Sequence, residues 1–380
     1  MEAMNKNSTM ARQSFLFLIF FLHVSLIATC CRAENTQKHA KTAVPLFVFG
    51  DSILDAGNNN YINTSTLDQA NFWPYGETYF KFPTGRFSDG RVISDFIAKH
   101  ANLPFIPPFL QPGFRQYNLG VNFASGGAGA LVETFQGFVI DLKTQVKNYN
   151  KVESRLRQKL GNDEAKMTIS RGVYLFSIGN NDYMSPFLTN STILNNYSDS
   201  TYVGMVIGNI TTAIKEIYRR GGRKFAFINL PDLGCVPGIR ILTSNGSCLE
   251  KASSLANLHN EALFKLLFQL QKRLKGFKYT IFDFNTNLKN RMLHPSKYGF
   301  KIGEAACCGT GPYGGTYSCG GKRIVKEFQV CKHPNEYLFW DSFHLTEKAN
   351  KQLADEMWKG KSNSFNDVGP YSLKKLFKIH

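Results

Sequence analysis

The stretch Val44-Pro45-Leu46-Phe47-Val48-Phe49-Gly50-Asp51-Ser52-Ile53 decides how the rest of the chain is read. Its apolar part is short, rich in aromatic and β-branched residues, and shows no polar alternation. That is the pattern of a strand covered on both faces. Runs of the same kind recur at Tyr117 to Phe123, Val173 to Ile178, Phe225 to Leu230 and Tyr279 to Phe284. The segments between them carry helical periodicity. Ser198 to Arg220 repeats apolar residues at helical spacing and is stopped by Gly221-Gly222. Leu249 to Leu274 does the same before Gly276. Thr346 to Trp358 opens on a threonine suited to cap the first turn, with Glu347 favoured there by the helix dipole. Strands alternating with helices predict an α/β fold, a five-stranded parallel sheet between helix layers, with ligands at the carboxyl ends of the strands. Ser52, Gly127 and Asn181 each fall just past one of the apolar runs, so three segments are predicted to meet at that edge.

The chemistry follows from two ends of the chain. A serine hydroxyl is a poor nucleophile without an adjacent base. At a strand-to-helix junction Ser52 would expose its Oγ and offer its own N–H to an oxyanion. Near the far end lies Asp341-Ser342-Phe343-His344. An aspartate three residues before a histidine can hold the Nδ1–H and leave Nε2 to accept a proton. Together these residues predict a Ser52–His344–Asp341 triad, and the segments Gly120 to Gly129 and Gly179 to Asp182 could supply an oxyanion hole.

Two other motifs carry nothing. Gly309-Thr310-Gly311-Pro312-Tyr313-Gly314 has dinucleotide-type glycine spacing but follows a cysteine pair rather than a strand. No Gly-x-Ser-x-Gly occurs, which argues against an α/β-hydrolase nucleophile elbow. No cofactor or metal is expected.

Composition sets the setting. The chain has 380 residues, 43% of them hydrophobic, and 32 phenylalanines, which read first as aromatic core. Lys6 and Arg12 precede an apolar run from Phe15 to Ala28 that is too short to span a bilayer, and Cys31-Arg32-Ala33 resembles a cleavage site. Residues 1–33 are therefore expected to be a signal peptide, with 34–380 a single domain and no transmembrane segment. The formal charge is +17, and the leader's Lys6, Arg12 and Arg32 against Glu2 leave about +15 without it. The basic residues are scattered, the densest group being Arg219-Arg220-Gly221-Gly222-Arg223-Lys224, so no nucleic-acid partner is expected. An anionic extracellular matrix, such as a cell wall, or simple solubility would each account for the charge.

Six cysteines remain beyond the leader: Cys235, Cys248, Cys307, Cys308, Cys319 and Cys331. They read as three disulfides of a secreted chain, with Cys235–Cys248 the preferred pair and the others left open among the 15 pairings six cysteines allow. Sequons stand at Asn63, Asn190, Asn196, Asn209 and Asn245, and are expected to be glycosylated.

The ordered motifs carry a resemblance. Phe49-Gly50-Asp51-Ser52-Ile53-Leu54-Asp55-Ala56-Gly57-Asn58-Asn59-Asn60 is similar to the first block of the plant GDSL esterase/lipase family, within the SGNH hydrolases. Gly120 to Ala128 resembles the second block, Ile178-Gly179-Asn180-Asn181-Asp182 the third, and Asp341 to His344 the last. Pro83-Thr84-Gly85-Arg86-Phe87-Ser88-Asp89-Gly90-Arg91 and Cys307-Cys308-Gly309 also look like plant members. The match runs in order over residues 44–358. It departs at Ile53, where the family name has Leu, and at Leu345, where many members have Pro; neither is a reacting group. The resemblance implies a flavodoxin-like three-layer α/β/α fold, with Ser52 as nucleophile, His344 as base and Asp341 as its orienting partner. It also implies an oxyanion hole made by the Ser52 N–H, the Gly127 N–H and the Asn181 side-chain amide; Gly127 lets backbone approach a substrate without a Cβ, and Asn181 offers a neutral donor. It implies a secreted esterase or lipase acting on small-molecule or lipid esters, in the apoplast, the cell wall or another secretory-pathway compartment. An acyltransferase passing the acyl group to an alcohol would need the same triad. A non-catalytic defence or binding protein of this fold would not need it intact.

Overall fold

The computed structural model describes residues 43–360 and 370–379. The signal peptide predicted over 1–33 lies outside the described residues. The five apolar runs form one sheet: β1 (Leu46–Gly50), β2 (Gly120–Asn122), β3 (Val173–Ser177), β4 (Lys224–Ile228) and β5 (Lys278–Phe282). Their order is β2-β1-β3-β4-β5, with every neighbouring pair parallel. This is the flavodoxin-like order, and its switch point lies between β1 and β3, where ligands gather in such folds.

Every residue of β1, β3 and β4 is buried, which is why these runs are apolar without alternation. On one face the aromatic side chains stack across strands. Phe49 lies 5.0 Å from Phe123 and 4.9 Å from Phe176, and Phe176 lies 5.2 Å from Phe227. Below them Phe47, Tyr174, Phe225 and Phe277 continue the same layer at 4.8–5.4 Å. Each such burial contributes about 1.5–3 kcal/mol. The abundance of phenylalanine is thus largely a core property.

The helices Leu142–Leu160, Asp199–Arg219 and Glu250–Arg273 pack side by side in one layer. The helices Ile93–His100, Glu347–Lys359 and Leu373–Lys378 form another group, the last also touching β5. The architecture is α/β in three layers. The expected helix ends are met within a residue: Ser198 caps Asp199–Arg219, and Thr346 caps Glu347–Lys359. β1 starts two residues later than Val44 and β4 ends two residues before Leu230, and two further boundaries shift for identifiable reasons. Tyr117–Leu119 is a 3-10 turn, because Gly120 takes a φ of +116 that breaks the run before β2. Phe284 starts a helix rather than ending β5, because Asp283 caps that helix through the Thr286 N–H.

Beyond β5 the chain forms two small ladders, β6 (Ile302–Ala306) with β9 (Tyr337–Phe339) and β7 (Cys308–Gly309) with β8 (Gln329–Val330). Three disulfides are present: the preferred Cys235–Cys248, then Cys307–Cys331 and Cys308–Cys319. The densest basic group is partly neutralised, with Arg219 and Arg220 paired to Glu216 and Arg220 also to Glu153. Asn63, Asn190, Asn196 and Asn245 are exposed and Asn209 is half-buried.

Candidate active site

β1 ends at Gly50, whose φ of +148 and tight surroundings require glycine: a Cβ there would lie 2.1 Å from the Ser177 carbonyl oxygen. Gln145 grips both polar groups of this residue, accepting from its N–H at 2.9 Å and donating to its carbonyl at 2.8 Å. The next residues wind into one turn, with Leu54 and Asp55 N–H both donating to the Asp51 carbonyl. That turn presents Ser52, half-buried, at the carboxyl end of the sheet.

The other end of the chain arrives through β9. Trp340 N–H donates to the His344 carbonyl at 2.7 Å, closing a tight turn that contains Asp341. Leu345 is buried and bridges back to Phe339, so the turn is held without a proline there. Asp341 Oδ1 accepts the Phe343 and His344 N–H groups, each at 2.9 Å. His344 Nδ1 lies 2.7 Å from Asp341 Oδ1, and its Nε2 lies 2.8 Å from Ser52 Oγ. All three sequence-predicted triad residues are therefore brought into one hydrogen-bonded chain.

Burial pushes the Asp341 carboxyl up, but the His344 charge and hydrogen bond, Arg323 and the Tyr75 hydroxyl outweigh it and hold the group at about 2. Asp341 is thus ionised and can only accept. Nδ1 must carry the proton, and Nε2 is left to accept from the Ser52 hydroxyl.

The predicted oxyanion donors lie in the segments that follow β1, β2 and β3. No acceptor among the described residues takes the N–H of Ser52 or of Gly127. Gly127 has a φ of +78, and a Cβ on it would lie 2.3 Å from Asp68 Oδ1. Asn181 sits in the first turn of the helix Asn180–Leu188 and donates from Nδ2 to the Ala128 carbonyl at 3.0 Å. That bond uses one amide proton and leaves the other for a ligand.

Buried polar staples hold these segments together. Asp55 accepts the N–H groups of Gly57, Asn58 and Gly126 at 2.7–2.9 Å. Asn58 donates to the carbonyls of Asn122 and Ala124, and Asn59 to those of Asp68 and Gly126. Asp182 accepts the N–H groups of Ala130 and Leu131 and the Thr134 hydroxyl. The three blocks of the resemblance thus lock one another.

The structure also supplies residues that spacing did not single out. Tyr75 donates to Asp341 Oδ2 at 2.6 Å. Phe87 packs against the His344 ring at 4.7 Å. Asp89 accepts the Glu347 N–H at 2.6 Å, and Arg91 pairs with Glu347 at 2.7 Å. The Pro83–Arg91 block therefore clamps the helix that follows His344. Its sequence was visible, but not its partner. Tyr75 gave no signal at all.

An apolar hollow of about 20 Å³ reaches His344 between Ile53, Phe87, Phe284, Leu288 and Phe343. A hollow of about 600 Å³ is lined by Phe80, Phe82, Phe105 and Phe114, but by no member of the triad. Size alone would point there, yet the reactive groups stand elsewhere, and geometry decides.

The sequence pattern of the GDSL-like Lipase/Acylhydrolase family matches residues 46–357, which spans the five strands and every residue of the site. The chain belongs to the GDSL esterase/lipase family. It is 57% identical to GDSL esterase/lipase 5 of Arabidopsis thaliana over 99% of this chain and 98% of that one. It is 50% identical to GDSL esterase/lipase 1 of the same plant, over 97% and 98%. GDSL lipase of Tanacetum cinerariifolium is 47% identical over 96% and 94%. The family's chemistry is that of a carboxylic ester hydrolase, and small-molecule esters are its substrates.

Proposed function

We propose that this esterase works through an acyl-enzyme on Ser52. The observation that carries the reading is the 2.8 Å contact between His344 Nε2 and Ser52 Oγ, made across 292 residues of chain. Ser52 Oγ attacks the ester carbonyl carbon as its proton passes to Nε2. The carbonyl electron pair moves to oxygen, where the N–H groups of Ser52 and Gly127 and the free Asn181 amide proton receive it. Collapse of this intermediate expels the alcohol, which takes the proton from Nε2. Water then attacks the acyl carbon, giving its proton to the same nitrogen, and the acid leaves as Ser52 is restored. Each oxyanion donor is worth about 2.7–4 kcal/mol of transition-state stabilisation. Asp341 stays ionised and stabilises the imidazolium formed at each step.

The test is Ser52→Ala, assayed on esters of graded acyl length and by fluorophosphonate labelling. The variant should keep the wild-type melting temperature and lose both activities. Retention of more than a few per cent of hydrolysis would overturn the assignment.

We further infer that residues 1–33 are removed on secretion and that residues 34–380 act as one domain, outside the cell or in another secretory compartment. Three disulfides, the charged leader and exposed sequons support this. The net positive charge suits an anionic wall matrix. The protein recovered from the medium should start after Ala33 and carry glycans at Asn63, Asn190, Asn196, Asn209 and Asn245. An intact leader would contradict it.

A further inference from the structure

We propose that Tyr75 is a positioning residue for ester hydrolysis, fixing the Asp341 carboxylate and through it the His344 ring. The proposal rests on the triad assignment above. The two oxygens of Asp341 are unequally held. Oδ1 takes two backbone N–H groups and the shorter arm of His344 Nδ1. Oδ2 has only the longer arm, at 2.9 Å, and the Tyr75 hydroxyl at 2.6 Å. Among the described residues, Tyr75 and His344 are the only side chains that bond Asp341. A carboxylate without the tyrosine would be free to rock about its Cβ–Cγ bond and carry the imidazole with it.

Tyr75 is itself built in. It is 1% exposed and sits edge-on to Phe72, Phe87 and Trp340 at 5.4, 6.2 and 6.2 Å. The Arg323 guanidinium lies 5.3 Å from its ring centre. Arg323 makes no bond to Asp341; it donates to the carbonyls of Cys319 and Gln69 and to the Tyr317 hydroxyl. Its contribution to the carboxylate is a field, whereas that of Tyr75 is directional. Burial keeps the Tyr75 hydroxyl protonated far above the ordinary phenol range, so it remains a donor. The ionisable groups facing this couple are His344 on the same turn, Arg323 and Tyr317 on the disulfide-rich segment, Asp68 beside those two, and Asp51 facing His344.

A donor on Asp341 has two effects of opposite sign. It fixes the carboxylate, which favours proton transfer, and it draws off charge, which weakens the hold on the imidazolium. Tyr75→Phe keeps the ring packing and removes only the hydroxyl. Its kcat per titrated active site should fall about tenfold to a hundredfold, the range of one lost bond to a charged group, with KM within about twofold. The acid limb of its pH–rate profile should move to higher pH, because the less quenched carboxylate favours the imidazolium. Fluorotyrosine at position 75 keeps ring and hydroxyl but donates more strongly, and should move the limb the other way. A structural role alone would lower the number of titrated sites and leave kcat per site and both limbs unmoved. That result would overturn the proposal. Should Tyr75→Phe fail to fold, the fluorotyrosine profile decides by itself: a limb shifted to lower pH supports the proposal, and an unmoved one overturns it.

Discussion

Asn180 donates from Nδ2 to Asp51 Oδ2 at 2.8 Å, so the first residue of the helix that follows β3 holds the residue beside Ser52. Burial pushes the Asp51 carboxyl from 3.8 up to about 7, against the pull of that bond. A raised carboxyl binds its proton more tightly in the folded chain than in the unfolded one. Folding stability therefore falls as pH rises from about 4 to about 7 through this group. The Asn180 bond serves the ionised form. Asn180→Ala should cost about 1.5–3 kcal/mol near pH 8 and less near pH 5, measured by urea unfolding. Equal losses at both values would contradict the coupling.

Asp68 stands against Gly127, where the oxyanion is expected to form. Burial pushes its carboxyl up to about 6, and the Ser65 hydroxyl pulls the other way. Above that pH an ionised oxygen faces the developing negative charge. Asp68→Asn should match the wild type at low pH and exceed it at high pH, in the ratio of kcat/KM values. Taking the ratio cancels the titration that both share. A ratio independent of pH would place Asp68 away from the reacting oxygen in effect.

The Cys308–Cys319 disulfide joins the strand beside Asp341 to the segment that carries Tyr317 and Arg323, since Cys308 N–H donates to the Trp340 carbonyl at 2.7 Å. Replacing both cysteines by alanine should cost about 3 kcal/mol, in the chain-entropy account of a short loop, and lower kcat by loosening Tyr75 and Trp340. Peptide mapping without reductant should return the three pairs described above. Any other pairing, or unchanged stability and rate in the double variant, would contradict this.

Much of the sheet was legible because its strands are buried on both faces, which leaves uninterrupted apolar runs such as Val173 to Ile178. Ser52, Asp341 and His344 were legible because a nucleophile at a strand end and an acid at a fixed distance from a histidine are local patterns. Tyr75 was not, since its partner lies 266 residues away and no spacing announces it. Nor could local pattern choose the partners of Cys307 and Cys308, which depend on how β7 meets β8. The boundary errors at Tyr117 and Phe284 have one cause. Side chains of similar hydrophobicity continued past the point where a glycine φ or an aspartate cap ended the strand.

The central claim is a covalent acyl group on Ser52, and rapid quenching tests it directly. A chromogenic ester with a slowly hydrolysed acyl group is mixed with enzyme, quenched in acid within milliseconds, digested and examined by mass spectrometry. The account predicts a burst of alcohol of about one equivalent per active site and an acyl adduct on Ser52 that decays at the steady-state rate. A burst with the adduct on another residue, or turnover with neither burst nor adduct for an ester whose deacylation is independently slow, would contradict it.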